Sequence, residues 1–559
     1  MSSFRAISLS LVGSAEVIGA IADESGTEEL TATVPEVSAL LADPSVRWVI
    51  WSAAALRPLI DAGAAVARAW EIAEVHRLRH GGWDADPALI WALHRGLDPA
   101  SRPPALADDL FSALAGLPGG DEVLMTTGHL RPDALTGAWL TTPARHAAWA
   151  QAAWEVASAQ RDALSDPRHL AAAHAESAAA VLCVELERDG LPIDRATMSA
   201  LITAAAGPLP RDHAAELVHR AERDAPVLAS VPGVGRLDLR NPAQVRQLLS
   251  LAGIDVTDTR RWTLEAHRGE HPVIAALLDW RRRERIATTY GWGWLARHVG
   301  ADDRLRGAWS ASDGAAGRMT AQAGLHNLPA ELRPGVAAPA GSVLIRSDLG
   351  QVEPRVLAAV ARDDALARAT WADDLYAPVA ERLGVAREVA KIAVLAAMYG
   401  QRSGAAGDAL IGLEREYPVA MRHLGAAQEA GREGRSVQTY GGRRVRVAIP
   451  SPGEPAPAAA ARGRFARNAV IQGSAAELFK AWAASVRVAV RPLHGRIVLC
   501  LHDELLVEVP AENADQAAAA IESTLTETAR WWLRGYPVRF VADTTIVQRW
   551  SEAKPAPRA

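Results

Sequence analysis

Apolar and polar residues alternate in FRAISLSLV, residues 4–12, with the period of two that marks a half-buried strand. VRWVIWSA at 46–53, followed by ALRPLIDAGAAVARAW, reads as a strand and then a helix, and this alternation predicts a small α/β domain over residues 1–165. From 168, HLAAAHAESAAAVLCVELERDG is a long helical pattern closed by Gly190, and helical character continues with Pro and Gly punctuation through the 290s. After residue 300, Gly- and Pro-rich segments separate the strand-like GSVLIRSD from the helical GVAREVAKIAVLAAMYG and RNAVIQGSAAELFKAWAASVR. RIVLC, LLVEVP and VRFVADTTIV add strands near the C-terminus, the first two as a hairpin whose tip presents His502, Asp503 and Glu504. PGEPAPAAAAR, residues 452–462, reads as a mobile loop.

Composition narrows this picture. A chain of 559 residues is too long for one ordinary core and suggests roughly two to four domains. Hydrophobic residues at 49% and charged residues at 22% describe a folded protein rather than a disordered one. The two cysteines, Cys183 and Cys500, lie in separate apolar runs, which excludes a disulfide framework or a zinc site and favours a reducing, cytoplasmic setting. The first 25 residues faintly imitate a secretory signal, but Ser and Gly break the apolar stretch and its alternation fits a strand. No run of 18 apolar residues is available to span a membrane. A formal net charge of -5 means that any surface for a polyanion is local. The basic cluster Arg281 to Arg283 with Arg285 has the ordinary reading of a solvated helix face.

The candidate chemistry rests on acids set in apolar strands. Asp348 ends a strand, where, taken alone, it reads first as the N-cap of the next helix. Asp503 lies between two β-like runs, and a carboxylate there needs a cation to offset its burial. Two aspartates from separate strands, with no Cys or His cluster, suit Mg²⁺, and a two-metal site suits in-line phosphoryl transfer. Arg387, Lys391, Leu395 and Tyr399 recur every four residues and form one drifting helical stripe, fit to hold a triphosphate and then a base. An amphipathic helix with a basic edge would give the same pattern. Arg464, Asn468 and Gln472 repeat the spacing with hydrogen-bonding side chains that suit bases or sugars.

These residues make the chain recognisable. SDLGQVEPRVLA, REVAKIAVLAAMYG and VLCLHDELLVEV resemble the first palm motif, the fingers helix and the last palm motif of family A DNA polymerases of the bacterial DNA polymerase I type. GRMTAQAGLHNLPAELR, TYGGRRVRV and RNAVIQGSAAELFK are similar to the blocks between them, and the resemblance runs over about 170–550. It implies a right-hand polymerase domain over 166–559, with helical thumb and fingers and an antiparallel palm sheet. Asp348 and Asp503 would bind two Mg²⁺ ions, with Glu504 in support. Arg387 and Lys391 would hold the deoxynucleoside triphosphate, Lys391 protonating the departing pyrophosphate. Gln351, Leu395 and Tyr399 would flank the nucleotide, and Glu353 would crowd the sugar 2′ position. Arg318, Asn327, Arg464, Asn468, Gln472 and His502 would line primer-template DNA.

Four departures bear on substrate discrimination. Leu395 stands where the family has Phe or Tyr, Ala396 where it has Gly and His326 where it has Gln, and the segment before Arg387 is short. In this family a 3′→5′ exonuclease domain of RNase H-like fold often precedes the polymerase and needs four carboxylates. Here the first strand has no acid, and Ala55, Trp149 and Ala153 stand where Asp, Tyr and Asp are expected, so residues 1–165 read as a degenerate exonuclease-like domain without that activity. The expectation is a monomeric, cytoplasmic DNA polymerase acting in replication or repair. A catalytically weak primer-template binding protein and an unrelated two-metal phosphohydrolase are the alternatives.

Overall fold

The computed structural model describes residues 3–103, 120–235, 237–400 and 407–553. They divide into two units: 1–189 with 308–320 and 341–546, and 190–307 with 321–340 and the segment from 547. The boundary expected near residue 165 falls inside the first unit.

In the first unit the alternation in SFRAISLSLV becomes strand β1 (Ser3–Val12), which pairs antiparallel with β2 (Glu16–Asp23). β2 pairs antiparallel with β3 (Gly26–Thr33), while β4 (Val46–Ile50) runs parallel to β1 and β5 (Ala69–Glu71) parallel to β4. The sheet order is therefore β3-β2-β1-β4-β5. Helix Pro143–Asp162 packs on it, with His146 wholly buried and bonded through Nδ1 to the Ser8 hydroxyl of β1 at 2.7 Å.

The expected helix from 168 is Pro167–Asp189, ended before Gly190, whose φ of +64° favours a residue without a Cβ. It is buried on most sides and carries charges inward. Glu176 pairs with Arg443 at 2.7 Å and with Lys480, and Glu185 accepts from Arg487 Nη2 at 2.6 Å. Fully buried ions persist only when paired in this way.

The second sheet of this unit contains β6 (Ser342–Leu349), β7 (Arg496–Leu501), β8 (Glu504–Pro510) and β9 (Ala542–Val547), in the order β7-β8-β6-β9. β6 and β7 both run antiparallel to β8. Three helices complete the frame: α1 (Val352–Ala361), α2 (Arg387–Tyr399) and α3 (Ala456–Val490).

The second unit is mainly helical, as the Pro- and Gly-punctuated pattern predicts. Helix Pro272–Thr289 carries the basic cluster, and its arginines are partly taken up: Arg282 pairs with Asp279 at 2.9 Å and Arg285 donates to the Asn327 carbonyl at 2.8 Å.

Three local expectations change. PGEPAPAAAAR is a loop only to Pro455; from Ala456 the alanines, the best helix formers, open α3, with Pro457 tolerated in its first turn. The strand expected from Val538 starts at Ala542. Before it, the Arg539 N–H donates to Thr370 Oγ1 at 3.1 Å and its carbonyl accepts from Arg355 at 2.8 Å, so that backbone is satisfied by side chains instead of a ladder. Glu504 is not at the hairpin tip: it opens β8, 7% exposed, and only His502 and Asp503 form the loop.

Candidate active site

The hairpin tip is held in a costly conformation. Leu501 and Glu504 face each other as the last strand pair, and His502 between them has φ of +56°, a left-handed backbone that costs a non-glycine residue roughly 1 kcal/mol or more. β6 meets this tip in register: Asp348 lies opposite Glu504, and the Leu349 N–H donates to the Asp503 carbonyl at 3.0 Å. Asp348 and Asp503, 155 residues apart in the chain, thus stand at the same end of neighbouring strands.

Arg346, two residues before Asp348 and on the same face of β6, was not anticipated. It is 1% exposed. Its Nη2 donates to Glu504 Oε2 at 3.0 Å and also to Asp348 Oδ2, while Nη1 donates to Asp543 Oδ2 on β9 at 3.0 Å. Burial alone would lower its pKa, but the bond to Glu504 and the attraction of Glu504, Asp348 and Asp543 outweigh that and raise it. The signal was visible in GSVLIRSD, since an arginine inside an apolar strand must find acids.

Beside Asp503 lies a cavity of about 190 Å³. Seven residues expected at the site line it: Arg318, Gln351, Glu353, Leu395, Gln472, His502 and Asp503. Tyr376 and Phe479, which sequence reasoning passed over, supply aromatic wall. Arg318 Nη2 donates to Glu353 Oε1 at 3.0 Å. Burial raises the Glu353 pKa, against the opposing pull of Arg318 and a bond from Tyr399. Burial, and then Arg318, lowers the His502 ring below 6.5, which favours neutral imidazole. Tyr399 bonds to Glu353 and Gln472, and burial raises its pKa.

α1 is seated by Arg355, wholly buried, whose guanidinium donates to the carbonyls of Gly350 at 3.1 Å, Ala372 at 2.9 Å and Asp373 at 2.7 Å. Gln351, at φ +52° before the helix, donates from Nε2 to Asp374 Oδ1 and accepts from the Leu375 N–H, both at 2.8 Å. The other oxygen of Asp374 receives Arg387 Nε at 2.6 Å. Asp374, also unforeseen, therefore joins the foot of α1 to the first turn of α2. Bonding to it raises the Arg387 pKa.

α2 shows the expected stripe. Arg387 and Tyr399 are exposed, and Lys391 and Leu395 are half-buried. The helix ends at Gly400, φ +68°, where a Cβ would come within 3.0 Å of the Arg464 side chain of α3. Along α3, Arg464 is exposed and Gln472 reaches the cavity. Asn468 holds a buried Oδ1 without a hydrogen-bond partner among the described residues. Asn327 belongs to the second unit, where its carbonyl accepts from Tyr290 Oη at 2.7 Å.

The donors suit a hard cation, being carboxylate oxygens at a partly exposed edge without thiols. Among the described residues, however, no three His, Cys, Asp or Glu side chains form a group ready to hold a metal ion. Asp348 and Glu504 are engaged by Arg346, so the acids fit Mg²⁺ once Asp348 is released from the guanidinium.

A model of DNA polymerase family A matches residues 233–552. The chain belongs to DNA polymerase family A. Within the family it is of the bacterial DNA polymerase I type. It is 29% identical over 352 residues to DNA polymerase I of Chloroflexus aurantiacus, covering 57% of this chain and 36% of that one. It is 28% identical over 335 residues to the thermostable DNA polymerase I of Thermus filiformis (53% and 38%), and 27% identical over 320 residues to DNA polymerase theta of Caenorhabditis elegans (53% and 19%). The chain thus spans well under half the length of these relatives. Among solved structures, the POL domain of Pol1 from M. smegmatis, in complex with DNA primer-template and dNTP, aligns with a TM-score of 0.68 at 19% identity. That alignment covers 99% of this chain and 96% of the other, and the two share the family A polymerase fold. No helix among the described residues of this family A chain is long and apolar enough to cross a membrane.

Proposed function

We propose that this chain is a template-directed DNA polymerase, in which a primer 3′-OH attacks the α-phosphate of a deoxynucleoside triphosphate and pyrophosphate leaves. The observation that carries this reading is the convergence of Asp348 and Asp503 at the end of paired strands, beside a cavity that also takes in Leu395 of α2. Asp348 and Asp503 would hold Mg²⁺, which supplies positive charge for the attacking and leaving oxygens. Glu504 supports them through Arg346. Arg387 exchanges Asp374 for phosphate oxygens as the nucleotide binds, which neutralises the triphosphate and frees the α1–α2 junction to move. Lys391, one turn on, adds charge to the same phosphates and delivers its proton to pyrophosphate. Glu353, pinned by Arg318, occupies the space a 2′-hydroxyl would need. Tyr399 and Gln472, bonded to one another, border the nascent pair. Arg464, His502 and Asn468 face the primer-template, and the unsatisfied Oδ1 of Asn468 has an acceptor to offer it.

On this reading residues 166–559 form thumb, palm and fingers, and residues 1–165 an RNase H-like domain. The order β3-β2-β1-β4-β5, antiparallel then parallel, supports the latter. Strand β1 has no carboxylate and Ala55, Trp149 and Ala153 have none to contribute, so the domain is a scaffold without 3′→5′ hydrolysis. The partners are primer-template DNA and deoxynucleoside triphosphates, and the enzyme works as a cytoplasmic monomer. One observation favours the second reading, a weakly catalytic primer-template binder: Arg346 already occupies two of the acids. Purified protein given Mg²⁺, primed template and all four deoxynucleotides should extend the primer in template order, and given no nucleotides should leave it intact. DNA binding without incorporation would select the second reading, and primer trimming would overturn the scaffold assignment.

A further inference from the structure

Arg346 is a fully buried cation that joins the candidate metal ligand Asp348 to its supporting acid Glu504. Its three carboxylates and one guanidinium sum to a formal charge of −2, so the cluster still attracts cations after Arg346 has taken its share. The bonds are divided unequally. Nη1 is anchored outward on Asp543, whose side chain is 63% exposed, and Nη2 is shared between Glu504 and Asp348. If Asp348 lets go, Nη2 keeps Glu504 and Nη1 keeps Asp543. The guanidinium then loses one bond of three and is never left unpaired, which is the condition that makes burying a charge costly. Asp348, at 17% exposed, is also the member of the inner pair that solvent reaches more readily.

We infer that Arg346 is a built-in competitor of the divalent metal: it holds Asp348 when no metal is present, must release it for the metal to use both aspartates, and so raises the metal concentration the site requires. This rests on the metal-site reading above and concerns how that site is tuned. Arg346 is a positioning residue, since its effect passes through Asp348. No bond is broken other than the hydrogen bond from Nη2, and the exchange is a cation for a cation.

The test is Mn²⁺ binding followed by electron paramagnetic resonance on the full chain without DNA or nucleotide. R346Q should bind Mn²⁺ about ten-fold more tightly than the parent, the order expected for removing one contacting charge. R346K should stay nearer the parent. Because the competing contact is direct and buried, the gap should persist in 0.5 M KCl, whereas a general field effect would be screened. Equal affinity in parent and R346Q, or a gap that vanishes in salt, would overturn the inference. Should R346Q not fold, a crystal of the parent chain grown with Mn²⁺ decides: Arg346 should be off Asp348 and still on Asp543, and a metal bound with the Arg346–Asp348 contact intact would refute the proposal. Primer extension by the parent chain at saturating Mg²⁺ is read separately, so failure of the polymerase reading cannot be mistaken for failure of this one.

Discussion

Glu353 shows how much one side chain can decide. It lines the cavity, is 16% exposed, and is fixed by Arg318 on one side and Tyr399 on the other, which on the proposed reading holds it against an incoming sugar. Truncating it opens space where a 2′-hydroxyl would sit, and steric discrimination of that size is worth roughly ten-fold or more. E353A should therefore incorporate ribonucleotides at least about ten-fold more efficiently relative to deoxynucleotides, measured as the ratio of kcat/KM values. An unchanged ratio would remove Glu353 from sugar selection. Leu395 gives up the aromatic surface expected at its position, yet the wall is not without one. Tyr376, 5% exposed and 5.7 Å below the Arg387 guanidinium, lines the same cavity from a neighbouring helix. Such a substitution across elements is invisible in a linear motif.

At the scale of elements, the contact between β1 and helix Pro143–Asp162 carries a pH dependence. Burial holds His146 at a pKa of about 4, against a smaller upward pull from a Leu140 backbone bond. In the unfolded chain it titrates near 6.5, so the folded pKa is depressed and the unfolded state takes up the proton first. Stability from this group is present above 6.5 and is lost as the pH falls toward 4. By pH 5 the loss is ~2 kcal/mol. The Tm deficit of H146N relative to the parent should therefore be smaller at pH 5 than at pH 7.5 in thermal melts, and a constant deficit would contradict the assignment.

The same scale explains what could be read in advance. The β7–β8 hairpin was legible because two apolar runs flank a short polar gap of three residues, and the α2 stripe because its period is four. Residues 456–462 were not, because Pro and Gly upstream outweighed the alanines in a reading of composition. The environment of Arg346 was not, because its partners Glu504 and Asp543 lie 158 and 197 residues away.

Taken whole, the first unit joins its N-terminal sheet to the polymerase fold through two buried polar bonds and one exposed one, as well as apolar packing. The Glu71 N–H donates to Ser177 Oγ at 2.9 Å, Ser312 Oγ to Glu74 at 2.7 Å, and Arg446 Nε to the His80 carbonyl at 2.9 Å. These bonds tie residues 1–165 to the rest of the first unit, which is the role the proposed scaffold reading gives them. The proposed metal site lies at the other end of this logic, where two short strand ends bring together acids that no local pattern connects.

Everything proposed for the molecule depends on Asp348 and Asp503 acting as a pair. The most direct measurement is single-nucleotide primer extension by the parent chain, D348A and D503A, with DNA affinity measured alongside. The parent should extend the primer, and both variants should lose at least about a thousand-fold at undiminished DNA affinity. Extension by either variant at the parental rate would contradict the pairing.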